Sequence, residues 1–433
     1  MKIRSKPLLR AAAAALLVLA VAGSILAYRH FYPPDRFDPQ RLVDYYSALQ
    51  PMAAPAVDDA AVERAARAAA AYIRAHNDPA TGAFTYTANL DPTVPVVRDY
   101  SILRHQGTVY SLGMYDDRFP DPRNVEVMRR AVEYMRQCCY KPLEDKQAIA
   151  IHEPEIVAKQ AARYYYKLGG AGLGLLALAS VERKSPGFVP RDEMTGVAAF
   201  GKLLQKRDGS FYSLYNEKQG GPTAYNKSLY YPGEMAKGWV ALYELHPDEA
   251  QSLQDASRAL EYLARTRARS GSAPADHWAL LATARLLRAA AEKGIEVPRE
   301  RLVNHALQVC DAMLEEARQP QPIPAMEGSL APRGAVTPTA TRLEGLQAAL
   351  TFLPPDHPIV PHMRAAIDRG IDFLLRAQVK EGPYAGGLPQ AISRMPDDGS
   401  PLVRDFNQRA TEIRIDYVQH SLSALVQYLQ RAR

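Results

Sequence analysis

The chain is predicted to be all-α, a closed ring of six helical hairpins, and three observations predict it. From Asp58 onward, apolar residues recur at helical spacing in twelve segments separated by turn signals. The links between segments alternate in length, long after nearly every odd segment and brief after every even one. The even segments are apolar all round, as in "LGGAGLGLLALAS" and "GEMAKGWVALYEL", whereas odd ones such as "VERAARAAAAYIRAH" carry one apolar face. Helices buried on all sides belong to an inner wall, and amphipathic ones to a jacket around it.

The first thirty residues stand outside this ring. "MKIRSKPLLR" is basic, and residues 11–28 are eighteen uncharged residues, enough for a membrane span. The charge order puts the N-terminus in the cytoplasm and the main domain outside, a single-pass inner (cytoplasmic) membrane protein with a periplasmic ring. The "AVA" ending at Ala22 also fits a signal-peptidase site, but the apolar run continues to Tyr28, which favours an uncleaved anchor. Without residues 1–30 the net charge falls from +6 to +1, so the basic balance is a targeting signature and no nucleic-acid partner is indicated. Residues 31–57 are proline-rich and read as a linker with one short helix near 40–49.

The ring domain, 58–433, is predicted to contain helices near 59–76, 101–115, 122–139, 168–181, 190–206, 233–246, 250–267, 276–293, 299–318, 339–353, 359–378 and 414–431. The tyrosine run at 164–166 suggests a strand. Long links at 77–100, 140–167, 207–232, 319–338 and 379–413 all follow odd helices; only 268–275 is short in that class. Loops of this length are uncommon unless they serve a function, so together they mark one functional face. "DPATGAFTYT", "RDGSFYSLY" and "VKEGPYAGG" within them suggest short hairpins.

This pattern resembles the (α/α)6 toroid superfamily, which includes six-hairpin glycosidases, polysaccharide lyases, epimerases and terpenoid cyclases. The resemblance covers 58–433 and implies parallel inner helices with all six N-termini opening onto the long-loop face. It carries fold more than activity, because the ring hosts unrelated chemistries. The cyclase "DxDD" motif is missing, as are zinc ligands of the lanthionine-cyclase kind, and no catalytic assignment carries over from any one family. The chain looks most like a separate bacterial branch of the superfamily.

The inner helices begin with "ILRHQGT", "YKLGG", "YYPGE", "ADHW", "TATRLEG" and "RIDYVQH", five of them bringing charged or aromatic groups to the mouth. Sugars need such a lining: polar groups for hydroxyls and flat rings for their apolar faces. Glu234, Asp276, Glu344, Asp416 and His105 are the candidate catalytic residues. Glycoside hydrolysis requires a carboxylic acid and a carboxylate, and the surplus of carboxyls slightly favours it. Lyase or epimerase chemistry would instead use His or Tyr for the proton and Arg for a uronate carboxylate. Arg104, Tyr230, Tyr231, His277, Trp278, Arg342, Arg414, Tyr417 and His420 are the candidate substrate-binding residues. Each has a structural alternative. Asp276 fits an N-cap, Glu344 a capping box with Thr341, Glu234 a helix first turn, and Arg342 and Arg414 ion pairs with their neighbours.

Cys138 and Cys139 are adjacent, where a bridge would be strained, and Cys310 stands alone, so all three read as small buried hydrophobes. No pattern demands a cofactor or a metal. Glu153 and Glu155 read as solvated loop residues. The expected function is a membrane-tethered protein that binds an extracytoplasmic polysaccharide or oligosaccharide in the mouth and cleaves or modifies it. The alternatives are a non-catalytic glycan-binding subunit beside polysaccharide synthesis or export proteins, and a lipid-handling toroid.

Overall fold

Twelve helices pair into six hairpins in the computed structural model, which describes residues 35–96, 99–154, 164–224 and 227–431. The jacket comprises α2 (Asp59–Ala75), α4 (Pro122–Cys139), α6 (Arg191–Leu204), α8 (Ala250–Ser270), α10 (Arg299–Ala317) and α12 (Ile359–Ala377). The inner wall comprises α3 (Ile102–Arg118), α5 (Leu168–Lys184), α7 (Tyr231–Leu245), α9 (His277–Lys293), α11 (Val336–Leu350) and α14 (Ile415–Gln430). Each inner helix packs on the next, and α14 returns to α3, closing the ring. Two further helices lie outside the hairpins, α1 (Pro39–Ala48) and α13 (Pro401–Arg409).

Burial explains the composition of the wall. Every residue from Leu168 to Val181 of α5 is buried, so no face is left to be polar. A Cβ on Gly172 would lie 2.5 Å from the Glu234 carbonyl carbon, and one on Gly238 2.6 Å from the Gly172 carbonyl oxygen. Here α5 and α7 meet backbone to backbone, a contact only glycine permits.

The long outer-to-inner links share one face because they pair with one another. Strands β1 (Thr87–Asn89) and β7 (Glu412–Arg414) join the first link to the last, antiparallel. β2 (Tyr140–Leu143) and β3 (Ala148–Ile151) form a hairpin within the second link. β4 (Tyr165–Lys167), β5 (Leu214–Asn216) and β6 (Gly221–Thr223) form a sheet across two links. The expected local hairpin in "DPATGAFTYT" forms, with Asn77 bridging Phe84 antiparallel and Asp78 N–H donating to the Ala83 carbonyl at 2.8 Å, and the chain beyond it joins the long-range pairing from Thr87. The tyrosine strand stands within one residue of its predicted place.

Several expectations need correction. Helix α11 begins at Val336, one turn before the predicted 339, because Pro338 is accommodated in a first turn where no intrahelical N–H is needed. Helix α13 was not foreseen; Ser400 caps it and Pro401 starts it. Cys138 and Cys139 were read as two thiols, but they are joined in a disulfide at the end of α4, with Cys310 free and buried. The expected anchor at 1–30 lies outside the described residues, and among the described residues no helix is long and apolar enough to cross a membrane.

Candidate active site

The pair Arg104–His105 that opens α3 divides at once. Arg104 points into the mouth, where its Nε donates to Asp416 Oδ2 at 3.0 Å and its guanidinium meets the Tyr86 hydroxyl. His105 turns the other way. Its Nδ1 pairs with the Tyr100 hydroxyl at 2.7 Å and its Nε2 with the Ala131 carbonyl of α4 at 2.8 Å, so both nitrogens are consumed by the jacket. Burial lowers its pKa to about 4, and a neutral ring donating to Ala131 fits that. His105 therefore locks hairpin to hairpin and is set apart from the other candidates.

Asp416 is held from two sides, because Arg414 also chelates it at 2.6 and 2.9 Å. Burial disfavours its charge, but the two guanidiniums outweigh that and hold the carboxyl below its ordinary value. Tyr417 leans away from this pair, its hydroxyl donating to Glu412 at 2.8 Å while the Arg414 guanidinium covers its ring. Asp276 accepts from Ala279 N–H at 3.1 Å as the α9 N-cap and from Arg267 at 2.6 Å, fully buried. Arg342 is bound to Glu316 of the jacket and to the Pro338 carbonyl. These groups build the wall as ion pairs and caps.

A different set converges on the ring's interior. Glu344 lies beyond the first turn of α11, so the capping box with Thr341 does not form; Thr341 donates to Pro338 instead. Glu344 Oε2 is 2.9 Å from His420 Nδ1 and 3.8 Å from His277 Nε2. The two imidazoles stand 5.6 Å apart, centroid to centroid, with Tyr230 edge-on to His277 at 5.1 Å and Trp278 at 5.2 Å. His277 is buried, yet neither ring nitrogen has a hydrogen-bond partner. Such orphaned polar atoms are costly in a native interior and mark a place for a ligand or water.

The environments push the two histidines apart. Burial, with the positive charge of His420 and Lys237 added, drives His277 well below its ordinary pKa. Burial also disfavours the charged form of His420, but the Glu344 carboxylate overcomes it and the pKa rises. The two rings are thus biased toward opposite protonation states, His277 toward the neutral form and His420 toward the charged one.

Two lysines missed in the sequence belong to this region. Lys237, one turn after Glu234 on α7, is buried with its Nζ 2.6 Å from the Tyr110 hydroxyl and 5.3 Å from the Trp278 ring centroid. Burial and the nearby Arg285 charge bring it down to about 7. Lys167 bonds Glu153 at 2.6 Å, and Glu153 in turn accepts from the Ile102 N–H at 2.7 Å, capping α3 from a neighbouring loop. Glu153 is therefore a cap and not a solvated residue; Glu155 lies outside the described residues. A buried lysine inside an apolar helix was the one signal that could have exposed Lys237. Glu234 itself is pushed up to about 8 by burial and by Asp276, and its Oε2 is unpartnered, wedged against Gly169 and Tyr231.

The ligand-type atoms of His277, Glu344 and His420 all lie within 4.8 Å of one another, a spacing a metal ion could bridge. The positive charge of Lys237 and Arg342 beside His277 works against a dication there. A surface cavity of about 860 Å³ lies elsewhere, on the jacket between Thr81, Asp121, Arg130 and Phe188, and holds none of these groups.

No family model and no curated protein matches the sequence. Solved structures do match. Cellobiose 2-epimerase from Spirochaeta thermophila is 14% identical over 90% of this chain and 98% of its own, with a TM-score of 0.57. A D-mannose isomerase is 10% identical over 88% and 100%, with a TM-score of 0.62. A GH76 α-mannanase from Bacteroides thetaiotaomicron is 9% identical over 85% and 96%, with a TM-score of 0.55. The fold is an (α/α)6 toroid. At such identities the likeness extends to the toroid's architecture alone, so the chemistry must be argued from the residues of this chain.

Proposed function

We propose that the protein is a carbohydrate-active enzyme that moves a proton on a sugar, as an epimerase or aldose–ketose isomerase, with His277 as base and His420 as acid. The observation that carries this reading is the buried His277, neither of whose ring nitrogens is hydrogen-bonded, beside a His420 paired with Glu344 at 2.9 Å. Groups pushed to opposite protonation states are the requirement for acid–base work near neutral pH. His277 would take the proton from the carbon next to the carbonyl of the open-chain sugar while His420 protonates the carbonyl oxygen, giving an enediol. Return of a proton to the opposite face gives the epimer, and to the neighbouring carbon the isomer. No net proton or electron is gained. Tyr230 and Trp278 offer flat faces for the sugar ring.

Hydrolysis, slightly favoured by the sequence, has one supporting observation: Glu234 is buried with Oε2 lacking a hydrogen bond, and burial pushes its pKa up to about 8, toward the protonated form. Its carboxylate partner is harder to supply, because Asp276 is engaged by Arg267 and a backbone N–H, and Asp416 by two arginines. The neighbours' names include both classes, an epimerase and an isomerase beside a mannanase, and all three act on sugars. We place the enzyme outside the cytoplasmic membrane, tethered through residues 1–30, on the charge and hydropathy order of that segment.

Incubation with cellobiose, mannose and α-1,6-mannotriose in D2O distinguishes the readings. Deuterium entering the carbon beside the reducing centre, lost in both His277→Ala and His420→Ala, is expected. New reducing ends that persist in His277→Ala and vanish in Glu234→Gln would overturn the proposal in favour of hydrolysis.

A further inference from the structure

We infer that the ring is held mouth-down on the bilayer, so that the long-loop face from which the site opens is a membrane-contacting surface. The inference rests on the tether proposed above and goes beyond it in assigning an orientation. Where the chain meets the ring decides it. The N–H groups of Arg36 and Phe37 donate to the Ala268 carbonyl at 2.9 and 3.0 Å. Gly271 lies so close that a Cβ there would stand 3.1 Å from Arg36 Cβ. Ala268 and Gly271 mark the end of α8 and the short link that leads, six residues on, to His277 at the mouth.

From that rim the chain runs away from the mouth along the jacket. Tyr46 bonds Asp311 of α10 at 2.8 Å, and His362, in the first turn of α12, contacts the Tyr46 carbonyl at 3.3 Å. Arg369 then holds the Ala53 carbonyl at 3.1 Å. Residues 36–53 are thus strapped to the wall and cannot serve as free tether. Seven residues lie between the end of the expected span at Tyr28 and Arg36, and fully extended that stretch reaches roughly 28 Å. The inner helices are 15–17 residues long, about 23–25 Å. With the opposite face against the membrane, the tether would be spent merely climbing the wall.

The surface itself agrees. Among the described residues the exposed large hydrophobics are Leu90, Val96, Leu229, Tyr230 and Leu402, all on mouth-face links, and Tyr45 on the strap. Charges of both signs flank them, exposed Lys227 near Leu229, and Arg404, Asp398 and Asp405 near Leu402. Apolar tips gathered on one face suit the acyl-chain boundary of a bilayer. A glycan would then enter from the side, between ring and bilayer.

The test uses the full chain in liposomes of phosphatidylcholine and phosphatidylglycerol. A photo-cross-linking amino acid is placed at Leu402 or Leu229 on the mouth face, and at the opposite end at Asp248, in the link before α8, or Glu292, in the last turn of α9. Lipid adducts at 402 and 229, with only background at 248 and 292, are expected. Adducts at 248 and 292 equal to those at 402 and 229, or none at any site while carbonate washing leaves the protein in the membrane, overturn the orientation alone. Release of the protein by carbonate overturns the tether and the orientation with it, and leaves the deuterium-exchange result standing.

Discussion

Glu344→Gln removes the carboxylate that His420 Nδ1 meets at 2.9 Å and leaves an amide of nearly the same shape. Because burial pulls His420 down and Glu344 pulls it up, the substitution isolates the second effect. A hydrogen bond to a charged partner contributes about 1.5–3 kcal/mol. Losing it should lower the His420 pKa, leaving burial as the dominant influence. Histidine-selective NMR titration of wild type, Glu344→Gln and His420→Ala reads this directly, the last variant assigning the signal. The alkaline limb of the exchange reaction should move down by the same amount, since His420 acts in its protonated form. The sign also fixes a stability effect. With its pKa raised on folding, His420 contributes stability that is complete below its ordinary value and fades as pH rises through the folded value. In Glu344→Gln that slope should flatten. A His420 signal that titrates identically in wild type and Glu344→Gln would refute the coupling, and with it the acid role.

Glu234 gives the opposite diagnosis of burial. Its folded pKa near 8 means the folded state binds the proton more tightly, so stability should fall as pH rises from about 4.5 to 8; chemical denaturation at pH 5 and pH 9 should show Glu234→Gln much less sensitive than wild type. Asp416→Asn strips two guanidiniums of their shared partner and should cost roughly 3 kcal/mol, the low end for a buried pair because Arg104 keeps part of its solvent; a denaturation midpoint unchanged from wild type would contradict the wall-building role. Gly172→Ala forces a methyl into the Glu234 backbone and should destabilise by about 1–3 kcal/mol or more. Gly187→Ala, which meets nothing within 4 Å but has a positive φ, serves as its contrast, its loss arising from backbone strain alone.

How much was legible differs between wall and site. The helix segments could be read because each carries its own periodicity, and the split between wall and jacket followed from whether one face or all faces were apolar. The start of α11 slipped because a proline reads as a boundary in sequence yet is harmless in a first turn. Arg104 and His105, adjacent on one helix, were read as a single cluster; the helical turn of 100° per residue sends one to the mouth and the other to Ala131. Glu153 looked like a loop carboxylate because the N–H it caps lies 51 residues away.

What the sequence by itself determined is the ring: its six hairpins, its long-loop face, and the list of polar groups near the inner helix starts. These are properties of separate segments, each expressed within a turn or two of helix. What only the tertiary structure decided is which polar groups are neutralised and which are left unmet. Asp416 is held by its near neighbour Arg414 and by Arg104, 312 residues away, while Glu344 and His420 meet across 76 residues and leave the His277 ring nitrogens without a hydrogen bond. Charge and proton affinity depend on neighbours in space, and closing the ring is what chooses them.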